Sequence, residues 1–300
     1  MKLIDIHICY KDRPSELGLL LQSLRTQTYQ NFRVLISDDV SGTRIESYHF
    51  LNCILNKMRE DGHEVIINVN PFQLGVSKNR QKLVDMSLKD DVAEYVCRLD
   101  DDVIIQSDYL ERLVNVIEKH GADLATGITP FMGQPQFKRD SQCLGVIDRI
   151  VFNEDGSLKM NLDDCGCDFI DENVLICDHF RSCALYKLDI HKQGITYDGP
   201  LSNHGFREES ILSFKMIIAG YVLKCDVQAK ANHLICQSGG ERFANQNELV
   251  KFNQEMFEKW TKEQYQKHGD FIMAYHKKLG IDLLEPTEEE LAISTNLIFK

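Results

Sequence analysis

Three consecutive carboxylates, Asp100-Asp101-Asp102, follow directly on the apolar run Tyr95-Val96-Cys97-Arg98-Leu99. Adjacent anions repel one another and lower stability unless positive charge sits among them. Mg²⁺ or Mn²⁺ suits such hard oxygen ligands, and a bound diphosphate would complete the metal's shell. A solvated acidic turn or a helix N-cap is the plainer alternative, and the position at a strand's end favours the metal. Asp38-Asp39 closes a second apolar run, Arg33-Val34-Leu35-Ile36. An acid there accepts hydrogen bonds from a base's ring N–H or from ribose hydroxyls, or else it caps the loop as an Asx turn. Glu208-Glu209 precedes a helical stretch. Acids at a helix start are favoured by the dipole in any protein, and the same place suits a general base that takes a proton from a hydroxyl. His233, in Ala231-Asn232-His233-Leu234, is either a structural histidine or a metal ligand through its neutral imidazole. Gly239-Gly240 beyond it reads as a flexible loop near the site.

The elements that position these groups alternate between strand and helix. Ile4, Ile6 and Ile8 alternate with polar residues, the period of a strand. Pro14 opens a helix that carries Leu17, Leu20, Leu21 and Leu24 on one face. A strand over 33–36, a helix over 44–60, a strand over 65–69 and a helix from Gly75 follow. The strand ending at the aspartates and a helix over 107–120 complete the series. This βαβα order predicts an α/β protein with one doubly wound, mostly parallel, Rossmann-like sheet, in which ligands bind beyond the carboxyl ends of the strands. The acidic groups fall at those ends. Residues 130–180 lose periodicity and read as loops with a hairpin, part of an acceptor site. A helix over about 207–219 and a strand from Tyr221 follow, and then a helix over 246–268 that begins a C-terminal extension. The chain divides into a catalytic domain, 1–240, and a helical extension, 241–300. The extension either packs on the catalytic domain or builds a homodimer interface.

The 300 residues carry a net charge of −12 with no long run of Lys and Arg. An acidic surface repels phosphate backbones and anionic lipid heads, so no nucleic-acid partner is expected. No apolar stretch approaches the ~20 residues needed to span a bilayer, and Asp5 and His7 interrupt any secretory leader. The ten cysteines lie largely in apolar runs, as buried thiols do in the reducing cytoplasm. Cys165 and Cys167, with Cys177 and Cys183, lack the spacing of a zinc finger or ribbon and read as structural.

Taken in order, these pieces resemble the large inverting family of nucleotide-sugar glycosyltransferases, family 2, with the A-type, Rossmann-like fold. The resemblance runs over about residues 3–240. It rests on the Tyr10-Lys11-Asp12-Arg13-Pro14 turn, on Gln27-Thr28-Tyr29-Gln30-Asn31-Phe32 and Ser37-Asp38-Asp39, and on Asn70 with Gly75 through Arg80. The aspartate triplet, Arg207-Glu208-Glu209 and His233 complete it. It implies that Asp39, with Asp38 beside it, contacts the nucleotide base, and that Asn70 and Arg80 belong with them to the donor site. It implies that Asp100 and Asp101 bind ribose or metal-bound water, and that Asp102, with Asp100 and His233, holds Mn²⁺ or Mg²⁺. Glu209, with Glu208 beside it, falls where the family carries its catalytic base, usually an Asp. The activity implied is transfer of a sugar from a nucleoside diphosphate to an acceptor hydroxyl with inversion, in polysaccharide or glycoconjugate synthesis. A nucleotidyltransferase would need a Gly-rich phosphate loop after the first strand, and residues 9–16 contain no Gly. A non-catalytic nucleotide-binding relative has no use for a metal triplet and an acidic pair together.

Overall fold

The computed structural model describes residues 1–133, 138–140, 146–152, 158–161, 168–236, 238–240 and 245–278. The first half alternates as the periodicity predicts over β1 Ile4–Tyr10, α1 Pro14–Arg25, β2 Phe32–Asp38, α2 His49–Glu60, β3 Val65–Val69, α3 Val76–Asp90, β4 Tyr95–Asp100 and α4 Tyr109–His120, except that the helix expected over 44–60 starts at His49; β5 Val103–Ile105 and β6 Leu124–Ile128 are additional strands. Short strands follow: β7 Lys138–Arg139, β8 Val146–Ile147, β9 Arg149–Phe152, β10 Leu158–Asn161, β11 Asp168–Phe169 and β12 Val174–Cys177. The chain closes with β13 Ala184–Lys187, α5 Asp189–Lys192, α6 Glu208–Ile218, β14 Leu223–His233 and α7 Gln246–Lys278.

Among the described residues, the main sheet runs β3-β2-β1-β4-β13-β6-β14-β12-β8, and β5 pairs with β14. β3, β2, β1 and β4 are parallel neighbours, while β13 lies antiparallel between β4 and β6. The sheet is therefore mostly parallel, with antiparallel insertions on the side nearer the C-terminus. A hairpin does occur within 130–180, where β9 and β10 pair antiparallel.

The alternation in β1 does not mark a solvent face. Ile4, Ile6 and Ile8 pack in one core cluster with Leu17, Leu20, Leu21 and Leu24 of α1. Asp5 and His7 point to the other face and are buried as well, because a parallel sheet is covered on both sides. Burial of a charge demands a partner. Asp5 takes the Arg33 guanidinium at 2.6 and 3.0 Å, and the Ser87 hydroxyl contacts His7 at 2.7 Å. Burial holds the His7 pKa well below the ordinary histidine value.

β14 needs a small residue beside it. Its pairing with β6 shifts register between Asp226 and Lys230, and a Cβ on Gly127 would stand 2.1 Å from the Ala229 carbonyl oxygen. The C-terminal helix α7 packs on α6, with Trp260 edge-on to Phe214 at 5.5 Å between ring centres. Cys177 and Cys183 are buried free thiols, while Cys165, Cys167 and the acidic segment 285–290 lie outside the described residues. No described helix is long and apolar enough to cross a membrane.

Candidate active site

A cleft of about 380 Å³ opens at the carboxyl ends of β1 and β4. The starts of α3 and α6 and the end of β14 form its other walls. Seven of the residues expected at the site line it: Arg80, Asp100, Asp101, Asp102, Glu208, Glu209 and His233.

Strand register brings His233 to the aspartates. β5 follows the triplet immediately and pairs with the end of β14, with His233 opposite Val103. The Leu234 amide donates to the Asp102 carbonyl oxygen at 2.9 Å. The His233 Nε2 then lies 3.1 Å from Asp102 Oδ1. Asp100, Asp102 and His233 each offer one ligand atom, all within 4.8 Å of one another. Two carboxylates and one imidazole leave room for diphosphate oxygens, and the set suits Mn²⁺. Burial works against the charge on Asp102. The His233 hydrogen bond and the charges of His233 and Arg13 outweigh it, so the carboxyl stays below its usual pKa and remains an anion. His233 is likewise opposed by burial, and Asp102 raises its pKa.

Arginines neutralise the rest of the cluster. The Arg13 Nη1 donates to Asp101 Oδ1 at 2.9 Å and reaches Asp102 Oδ2 at 3.0 Å. Arg80 pairs with Asp100 and donates to the Leu99 carbonyl oxygen at 2.9 Å. Gly239 and Gly240 are a packed wall, not a slack loop. Both have positive φ, and a Cβ on either would come within 2.6 or 2.7 Å of Arg13. Arg13 Nε also donates to the Ser238 carbonyl oxygen, so the turn after β1 holds the segment after β14 over the aspartates.

The two glutamates of α6 have separate surroundings. Both oxygens of Glu208 are taken by Arg98, at 2.7 and 2.8 Å, which leaves Glu208 buried and unsuited to a base. Glu209 is half-buried and faces the cleft. Burial, and then the Glu208 charge, push its pKa up to about 7, against the pull of Arg98. Arg207, the residue before them, has φ of 79°. That conformation is costly for a residue with a side chain. Gln254 of α7 accepts from its Nε at 2.9 Å, and its guanidinium stacks on Phe206 and Phe257. The extension thus braces the start of α6.

Asp38, Asp39 and Asn70 do not line the cleft. Asp39 is buried, and its carboxylate accepts from the Leu74 and Gly75 amides at 2.7 and 2.8 Å and from Asn70 at 3.0 Å. Asp38 accepts from the Ser41 amide at 2.8 Å. Here Asp39 and Asn70 shape the loop that leads into α3, and Asp38 caps the turn after β2.

Arg13 and Arg98 were not singled out from the sequence as site residues, although each touches a carboxylate of the site. Arg98 carried a signal: a charge inside an otherwise apolar strand needs a buried partner. Nothing local to Arg13 shows that it reaches β4.

Residues 5–162, more than half of the chain, match the family described as "Glycosyl transferase family 2". The chain belongs to that family. No curated protein matches the sequence. Among solved structures, the chain is similar to S. aureus TarS 1-349 in complex with UDP-GlcNAc (TM-score 0.53, 14% identity, 79% of this chain and 60% of that one). It is also similar to GalNAc-T7 with UDP, GalNAc and Mn2+ (0.57, 13%, 78% and 44%). A third is the mannosyltransferase PcManGT from Pyrobaculum calidifontis in complex with GDP-Man and Mn2+ (0.52, 10%, 78% and 57%). At these identities the likeness is one of fold, and the chain spans less than two thirds of each of these proteins.

Proposed function

We propose that the protein transfers a sugar from a nucleoside diphosphate to an acceptor hydroxyl with inversion at the anomeric carbon, for the assembly of a polysaccharide or glycoconjugate. The observation that carries this reading is that Asp100, Asp102 and His233 converge within 4.8 Å in the same cleft that Glu209 lines. Asp100, Asp102 and His233 would hold Mn²⁺ or Mg²⁺, and the imidazole favours Mn²⁺. When bound, the ion supplies positive charge to the departing diphosphate. Arg80 and Arg13 add fixed cationic groups beside it.

Glu209 accepts the proton of the acceptor hydroxyl. The freed oxygen attacks the anomeric carbon from the face opposite the diphosphate, the bond from that carbon to the diphosphate oxygen breaks, and the configuration inverts. A glutamate with a pKa near 7 is basic enough to take the proton and still ionised in a useful fraction at neutral pH. The nucleotide-sugar and Mn2+ complexes of the similar folds support the donor class.

Thermal unfolding against UDP, GDP, CDP and TDP, each with and without Mn²⁺, tests the donor half of this reading. One nucleotide at about 100 times its Kd should add ~2.7 kcal/mol of stability, a rise of about 5 °C or more, and only with the metal. No shift with any pair would refute it. Retained anomeric configuration in the product would refute inversion.

A further inference from the structure

The Arg98–Glu208 pair holds two parts of the site that the chain supplies 110 residues apart. Arg98 lies on β4 two residues before Asp100, so their side chains leave the same face of the sheet. It is 2% exposed and Glu208 is 3% exposed. The guanidinium meets Glu208 with two hydrogen bonds at 2.7 and 2.8 Å, and its Nη2 lies 3.7 Å from Asp100 Oδ1. The Arg98 Nε donates to the Ser182 carbonyl oxygen at 3.2 Å, and the rings of Phe180 and Tyr197 lie 5.2 and 5.8 Å from its Cζ. Every side of the cation is fixed. The side chain it holds belongs to the first residue of α6, and the next residue is Glu209.

We propose that Arg98 is a positioning residue: by clamping Glu208 from the strand that carries Asp100, it sets where the Glu209 carboxylate stands relative to the aspartate cluster. This rests on the reading of Glu209 as the base. A buried ion pair is a poor source of net stability, and a well-packed neutral pair often replaces it without loss. What a planar, two-pronged contact supplies is geometry. A misplacement of about 1 Å costs a reaction about 100-fold, and α6 has no other ionic tie to β4 among the described residues.

The test uses hydrolysis of UDP-GlcNAc and GDP-mannose with Mn²⁺, water taking the acceptor's place, together with amide hydrogen exchange in α6. Arg98→Lys keeps the charge and loses the fork, and kcat should fall about tenfold. Arg98→Met should lower kcat about 100-fold with KM for the donor within about threefold. Because Arg98→Met leaves Glu208 unpaired in the interior and risks unfolding, the double variant Arg98→Met/Glu208→Gln is the deciding one. It should recover the wild-type melting temperature, keep the 100-fold loss in kcat, and exchange faster at the Ile211 and Leu212 amides. A double variant with wild-type kcat, or with wild-type exchange at those amides, would show that the pair only holds the fold together and would overturn the proposal. Glu209→Gln runs in parallel. If it keeps full activity, the base assignment fails. If it is inactive while the double variant is not, the role of Arg98 alone fails.

Discussion

Asp100-Asp101-Asp102 and Glu208-Glu209 are both runs of adjacent acids in one cleft, and their neighbours divide them in opposite ways. In the triplet the positive groups are shared out: Arg80 on Asp100, Arg13 on Asp101 and Asp102, His233 on Asp102. Asp102 stays ionised and presents oxygen beside an imidazole, which suits a cation. In the glutamate pair Arg98 gives both of its terminal nitrogens to Glu208 and none to Glu209, with Asp100 a more distant neighbour at 3.7 Å. Glu209 is left without a hydrogen-bonded cation among the described residues, and it faces the same-sign charge of its neighbour. The first arrangement keeps Asp102 charged to bind metal, while burial pushes the Asp101 carboxyl up to about 7 despite Arg13. The second makes a carboxyl hold its proton more tightly, as a base must. Residue type alone does not separate Asp102 from Glu209; the groups packed around each carboxylate do.

The contrast breaks most sharply at Asp102. Asp102→Ala removes a metal donor together with the partner of His233. Metal-dependent nucleotide stabilisation should vanish, and transfer should fall by about 10³-fold or more, equivalent to ~4 kcal/mol. Titration calorimetry of Mn²⁺ with the preferred nucleoside diphosphate checks this. Retained metal-dependent binding would remove the metal assignment from the triplet.

Glu209→Gln should do the reverse, leaving nucleotide binding within about twofold and lowering kcat by about 10²–10⁴-fold. The pH profile sharpens the same point. Because burial and Glu208 raise the pKa of Glu209 to about 7, the carboxylate is the minority form below that pH and the dominant form above it. The rate should climb about tenfold per pH unit below 7 and level off above. A wild-type profile with no limb near 7 would move the base elsewhere, and a limb that persists in Glu209→Gln would assign it to Asp101, which burial also pushes up to about 7.

Sequence legibility follows the same division. The donor side is built from consecutive βα units whose periodicities are local, so β1, α1, β2, β3, α3 and β4 were all readable, with ends off by a residue or two. The triplet was readable because it sits where a strand stops. The grouping of His233 with Asp102 came from the resemblance and not from any local pattern, because it depends on β5 pairing with a strand more than 120 residues away. The insertion of β13 antiparallel between β4 and β6 was equally hidden, since a four-residue strand carries no sign of its direction. The burial of Asp5 and His7 was hidden for a related reason: their partners, Arg33 and Ser87, arrive from other elements. Likewise Glu208 and Glu209 are indistinguishable as letters, and only Arg98 makes them different.

The smallest effect concerns Asp39, where the resemblance implies contact with the nucleotide base and the structure places the carboxylate inside the protein. Its two oxygens accept three hydrogen bonds, two of them from the backbone amides of Leu74 and Gly75. Gly75 has φ of 80°, and a Cβ there would stand 2.4 Å from the Asn203 carbonyl oxygen, so the turn it makes has little room to relax. Val76, the next residue, donates its amide to that same Asn203 carbonyl at 3.1 Å. Asp39 therefore fixes the loop that joins the start of α3, and with it Arg80, to the segment leading into α6. Asn in place of Asp puts an NH₂ where one backbone N–H now donates. That leaves a buried donor facing a donor, at a cost of about 1–3 kcal/mol. Asp39→Asn should accordingly lower the melting temperature by several degrees in the absence of any nucleotide. If bracing is its whole role, the increment that nucleotide and Mn²⁺ add to the lowered melting temperature should match the wild-type increment. If Asp39 also reads the base, the increment itself should shrink, and shrink for the preferred nucleotide alone.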